Sequence, residues 1–363
     1  MPSIRIAKAA DIAQMVPLLL ADARQRVRRN PGLWHLPADP GAAVQADLTA
    51  SLGADNTPIR RRWLLAEAEG ALAGIAHTMQ LPVPPIYAGA LGPPGLVMEA
   101  SCVAETAPPG TGAALLAAAE ADLTASGSRI LLAASTPGDA WEAVFAAAGY
   151  DPLTQYLART GLSAAPEPEA ALASQRGLGS NSAPPHASDQ EEADRQDPPR
   201  TAVPQDVAGI ATLSARHRQI LHQLNGFWAP HAEADARFGA WMAKSQTFPD
   251  RDMIVAEPRA GLTGYVIAQP ATALHFPAPH DVGPVGFVDD FFHVVLDDPQ
   301  ELPARDSAIQ RDAAALIRAA EAALVARGKT AALVVCPAAW RSKTAFLVNA
   351  GYGVAMGWSI KRV

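Results

Sequence analysis

The chain has 363 residues and a mass of 37.9 kDa, and 78 of its residues are alanine. A hydrophobic fraction of 49% excludes a disordered chain, two cysteines exclude a disulfide framework, and no apolar run approaches the ~18 residues that span a bilayer. The net charge of −7 is uneven: residues 161–199 hold seven acids and two bases, and neither flanking half is basic enough to make nucleic acid the main partner.

In chain order, Ile4–Ala7 reads as a short strand. Asp11 stands where a helix N-cap belongs, and Ile12, Val16, Leu19 and Leu20 then recur at helical spacing. A second helix is expected over Ala42–Leu52. Trp63–Glu67 and Ala71–Thr78 read as a hairpin turning at Glu69-Gly70. A strand over Leu96–Ala104 precedes a helix over Ala113–Ser126, with Glu120 and Asp122 facing outward. The strand Arg129–Ala134, the helix Ala140–Ala148 and the strand Thr154–Arg159 complete the first half. Residues 161–199 lack aromatic residues and are rich in Pro, Ser, Ala and acids, so they cannot offset the entropy of ordering and read as a flexible linker. The acids near the N-terminus do not suit a signal peptide, and so few cysteines suit a reducing cytoplasm.

Beyond the linker the chain repeats itself. Arg5 to Ile12 is matched by Arg200 to Val207, and Gly32-Leu33-Trp34 by Gly226-Phe227-Trp228. Leu65-Ala66-Glu67 is matched by Val255-Ala256-Glu257, and Gly95 to Glu99 by Gly286 to Asp290. Glu120 is matched by Glu321, Gly149-Tyr150 by Gly351-Tyr352, and Arg159 by Lys361. The matches keep their order while the offset drifts between 190 and 202 residues, as small insertions require. The expectation is an α/β chain of two copies of one fold, over residues 1–160 and 200–363, each a mixed, mostly antiparallel sheet flanked by helices.

This order resembles the GNAT acetyltransferase superfamily, twice over. Arg5 to Ile12 looks like that family's opening strand and helix, Val103 to Gly112 like its acyl-CoA segment, and Gly149-Tyr150 like its later Gly-aromatic pair. A glycine-rich strand-to-helix turn offers free amides and a helix dipole to an anion, so Ala107 to Ala113 suits a pyrophosphate on physical grounds. The resemblance implies acetyl-CoA as co-substrate, with no metal. Cys102 and Val103 would meet pantetheine, and Gly110, Thr111, Gly112 and Ala113 would cradle the phosphates. The departures are Ala107 in place of Gln or Arg, Pro109 without an N–H, and Trp141 in place of a small residue. In the second half Arg311 aligns with Gly110, which marks that copy as degenerate for CoA.

Acyl transfer to an amine needs a base, and Glu99 between apolar neighbours is the candidate. Trp34 and His77 are candidate acceptor contacts. The Tyr that usually protonates the leaving thiolate is replaced by Phe145, and by Leu347 in the second half. Cys102 and Cys336 read as small apolar packing residues, and the runs Arg24 to Arg29 and Arg60 to Arg62 as solvated surface. The resemblance thus implies a cytoplasmic N-acetyltransferase acting on a small-molecule or peptide amine, with no nucleic-acid or membrane partner. The absent Tyr leaves a catalytically silent acyl-CoA-binding or scaffold protein as the alternative. Oligomeric state is left open.

Overall fold

The computed structural model describes residues 2–53, 59–84, 86–163, 197–257, 261–272, 276–305 and 307–363. Most of the expected linker, residues 164–196, lies outside them.

The first half contains β1 (Ser3–Ile6), α1 (Ile12–Arg29), α2 (Pro40–Leu52), β2 (Arg60–Ala68), β3 (Ala71–Gln80), β4 (Gly95–Val97), β5 (Cys102–Val103), α3 (Thr111–Ala125), β6 (Ile130–Ser135), α4 (Ala140–Ala147) and β7 (Asp151–Thr160). The second repeats the order. It contains β8 (Arg200–Thr201), α5 (Val207–Leu224), α6 (Ala234–Ser245), β9 (Asp252–Ala256), β10 (Gly264–Pro270), β11 (Val285–His293), α7 (Ala308–Ala326), β12 (Ala331–Pro337), α8 (Arg341–Asn349) and β13 (Gly353–Arg362).

Local chemistry accounts for several boundaries. Glu69 and Gly70 both have positive φ, 52° and 77°, as the tight β2–β3 turn requires. Asp39 caps α2 through Ala42 N at 2.9 Å, with Pro40 in the first turn. Asp11 is not the helix cap expected of it. Its carboxylate accepts from Lys8 N and grips Arg5 at 2.7 Å, because β1 brings that guanidinium within reach. Arg5 also meets Glu67 at 2.6 Å. Arg200, Asp206 and Glu257 repeat the arrangement at 2.7 and 2.5 Å.

All strands but β5 form one path, β1-β2-β3-β4-β6-β13-β7-β12-β11-β10-β9-β8. The two final strands have changed places. β13 of the second half pairs antiparallel with β6 of the first, and β7 of the first pairs antiparallel with β12 of the second. β7 and β13 also pair with each other at the centre. The main core follows the sheet across the boundary, joining Leu132 and Leu157 to Val266, Leu316 and Leu333's neighbour Val334.

Two ion pairs reinforce the exchange. Arg159 on β7 meets Glu321 on α7 at 2.8 Å, where Tyr352 OH also donates to Glu321 at 2.7 Å. Lys361 on β13 meets Glu120 on α3 at 2.8 Å. Glu120 and Asp122 are therefore not free outward charges, since Asp122 takes Arg60 and Arg62, each at 2.7 Å. A buried acceptor is costly to leave unmet, whereas an exposed ion pair contributes little. Glu321→Ala is expected to lower stability to urea by about 1–2 kcal/mol, discounted for the half-exposed Arg159. Glu257→Ala at the exposed Arg200 pair should cost no more than about 0.5 kcal/mol. Equal losses would contradict this ranking.

Candidate functional site

The strand expected over Leu96–Ala104 is broken. β4 pairs in parallel with β6 from Gly95 opposite Leu131 and stops at Val97 opposite Ala133. Met98 to Ser101 then loop out, and β5 pairs with β3 alone. A wedge opens between β5 and the end of β6. Ala104 N donates to Ala73 O at 2.9 Å, so alternation along the strand turns the backbone groups of Val103 to the open side. Those of Cys102 face β3, opposite Ile75. The Cys102 side chain is buried, and burial raises its thiol well above the ordinary value.

The wedge leads into the turn before α3. Gly110 is left-handed at φ 84°, which costs a side chain dearly there. Thr111 is buried, and its hydroxyl donates to Pro108 O at 2.7 Å. Among the described residues no backbone partner meets the amides of Gly112 and Ala113. Gly74 lets α3 approach the sheet, because a Cβ there would stand 2.8 Å from Leu115. Thr136 Oγ1, just beyond β6, and Trp141 Nε1, in α4, are buried without hydrogen-bond partners among the described residues. Free amides, an open strand edge and orphaned polar atoms fit an extended, anion-tipped ligand such as an acyl-CoA.

Glu99 stands in the looped-out segment rather than within a strand. It is buried, and burial, eased by Arg26 and Trp358, lifts its carboxyl to about 6. Arg26, expected at the surface, is 2% exposed; it pairs with Asp22 at 2.7 Å and donates to the Glu99 carbonyl. Trp358 Nε1, on the exchanged strand β13, donates to Glu99 Oε1 at 3.3 Å. The second half thus helps hold the carboxylate of the first.

Glu99 and His77 share a cavity of about 670 Å³, walled by Met79, Met98 and Arg61 on one side and by Phe276 to Val282 on the other. The loop that closes it belongs to the second half. Asp281 N donates to His35 O at 2.8 Å and fastens that loop. His77 stacks on Trp63 at 4.0 Å, and burial, with Arg61 nearby, lowers its imidazole to about 3. It is therefore neutral, with Nε2 unpartnered among the described residues. Trp34 is not among the walls. It packs behind them, 5.0 Å from Phe276 and 4.7 Å from His280.

The second half has the wedge but fills it. β11 leaves β12 after Val288. Lys343, at the position of Trp141, is buried and donates to Phe291 O at 2.8 Å. α7 begins at Ala308, so an extra turn runs through the residues aligned with Pro108 to Gly110, and Arg311 lies inside a helix. His293, Asp312 and Thr263 form a buried network at 3.0 and 2.8 Å where the first half has Val103, Thr111 and Ala73.

Sequence reasoning missed Arg26, Trp358, Lys343 and the crossed loops, since each depends on long-range pairing. Among the described residues no His, Cys, Asp and Glu group is arranged to hold a metal, and no helix is long and apolar enough to cross a membrane. The indole N–H favours the ionised form of Glu99, so Trp358→Phe should move its half-ionisation above about 6 in a carbon-13 NMR titration. A downward move would contradict this role.

No protein-family model matches the chain, and no curated protein matches it either. Among solved structures it is similar to a GCN5-related N-acetyltransferase from Sphaerobacter thermophilus, with 15% identity and a TM-score of 0.53 over 99% of this chain and 95% of that one. It is also similar to the GCN5-related glucosamine N-acetyltransferase region of a fungal multi-domain β-N-acetylglucosaminidase, with 13% identity and a TM-score of 0.50. That alignment covers 99% of this chain and 38% of the other. A tandem GNAT protein from the clavulanic acid biosynthesis pathway aligns over 100% of this chain and 98% of its own, at 12% identity and a TM-score of 0.46. At such identities the first two similarities establish the fold, which is that of the GCN5-related N-acetyltransferases.

Proposed function

Taking that fold as the premise, we propose that residues 1–160 bind an acyl-CoA, acetyl-CoA in the first instance, and transfer its acyl group to an amine of a small molecule or peptide. The observation that carries this reading is the open wedge beside Val103, running into the unpartnered amides of Gly112 and Ala113 and bordered by the buried Glu99. Residues 200–363 act as the degenerate copy, with the corresponding wedge taken by Lys343.

In this scheme the α3 amides and dipole hold the pyrophosphate, and Val103 pairs with the pantetheine arm. The Val103 N–H polarises the thioester carbonyl. The amine enters through the 670 Å³ cavity, past His77 and under the loop Phe276 to Val282. Its nitrogen forms the C–N bond as the C–S bond breaks, and the amine proton passes to Glu99, directly or through one water. Phe145 offers no proton, so the sulfur leaves as thiolate, which an ordinary thiol pKa of ~8.5 permits.

Glu99 must be ionised to accept a proton. With an aromatic amine, neutral across roughly pH 5–8, kcat is expected to rise with pH, turn near 6 and level off above it. Glu99→Gln should remove that turn and lower kcat by about 100-fold. An unchanged profile would remove Glu99 from the role. Binding of CoA thioesters without thiol release, over a broad amine panel, would favour the silent binder.

A further inference from the structure

The loop exchange that roofs the Glu99 cavity has a mirror image. Ile86 and Ala88 of the first half bond to His231 and Ala229 of the second, at 3.0 and 2.8 Å. Pro84, Ile86 and Tyr87 thereby help close a cavity of about 890 Å³ in the second half. That volume is in the range of small-molecule sites. Its walls include Leu221, Trp228, Phe238, Trp241, Met242 and Ile86.

The charged groups at its polar end divide into committed and free. Asp290 accepts from Tyr265 OH at 2.7 Å and lies 3.0 Å from His217 Nδ1. Lys343 is spent on the Phe291 carbonyl. Arg218 is held by Ser214 and Asp235, each at 2.5 Å, and Arg237 by Glu233 at 2.7 Å. Lys244 lies on an exposed stretch of α6. Asp289, which lines the cavity and is open to it, has no ion-pair partner among the described residues. Asp289 is thus the carboxylate without an ion pair on a mostly apolar, aromatic chamber, with the exposed Lys244 as the other charge no ion pair holds, in the half whose donor wedge is filled.

We propose that this cavity is a second ligand site, which takes a primary amine on an apolar aromatic body and holds it without acyl transfer. The ammonium meets Asp289, and the aromatic body lies against Trp228, Phe238 and Trp241. The electrostatics agree in direction. Enclosure by the cavity walls and the adjacent Asp290, against Arg251 and a hydrogen bond from Gln269, raise the Asp289 carboxyl above its ordinary value, and a bound ammonium would oppose that rise. The site does not depend on the transfer reading.

Dansylcadaverine, a fluorescent aromatic amine, tests the proposal by titration against the whole chain, with dansylglycine as the anionic counterpart. Saturable binding is expected to weaken about tenfold in Asp289→Asn, the loss of one charge-assisted hydrogen bond. The component sensitive to Asp289→Asn should vanish in Ala240→Trp, which fills the cavity from an exposed wall position, and persist in Glu99→Gln. Melting curves identify any variant that fails to fold, and Ala240→Phe then replaces Ala240→Trp. Absence of saturable binding, indifference to Asp289→Asn, loss in Glu99→Gln alone, or equal binding of dansylglycine would each overturn it.

Discussion

The structure depends on one exchange. Each half makes a sheet whose last parallel strand, β6 or β12, would otherwise end at an open edge. A long unpaired edge is an aggregation hazard, and here each edge is closed by the other half's final strand. Arg159 with Glu321 and Lys361 with Glu120 fasten the crossing from both sides, and the tyrosine hydroxyl of Tyr352 adds to the first of them.

The exchange reaches the chemistry. Because β13 lies beside β6, Trp358 comes to the Glu99 carboxylate of the opposite half. Because Ile86 to Ala88 and Phe276 to Val282 also cross, each half roofs the other's cavity. Two nearly equivalent frames then diverge through a few substitutions. Trp141 against Lys343, Gly110 against Arg311 and Thr111 against Asp312 separate an open wedge with free amides from one sealed by its own side chains.

Much of this fold was legible in the chain, because repeated local signals carry it. Glu69-Gly70 and Gly149-Tyr150 mark element ends by backbone preference alone, whereas the Asp39-Pro40 start of α2 was read two residues late, at Ala42. The burial of Glu99 followed from Met98 and Ala100 on either side. The exchange was not legible, although its residues were. Arg159 and Lys361 match each other, as do Glu120 and Glu321, whether a base pairs within its own half or across. A repeat records equivalence and is silent on which copy supplies the partner. Arg26 was hidden for a related reason. A run of arginines reads as surface until tertiary packing brings Asp22 and the Glu99 carbonyl around one of them. The strand break at Met98 to Ser101 was missed because Leu96 to Ala104 carries no Gly or Pro to mark an interruption.

We propose that the two copies of the fold carry one donor groove between them, in the first half. Isothermal titration of the full chain with coenzyme A measures that number directly. One site per chain is expected, lost in Gly110→Arg and unaltered by Lys343→Met. Two sites, or a single site that survives Gly110→Arg and disappears with Lys343→Met, would contradict it.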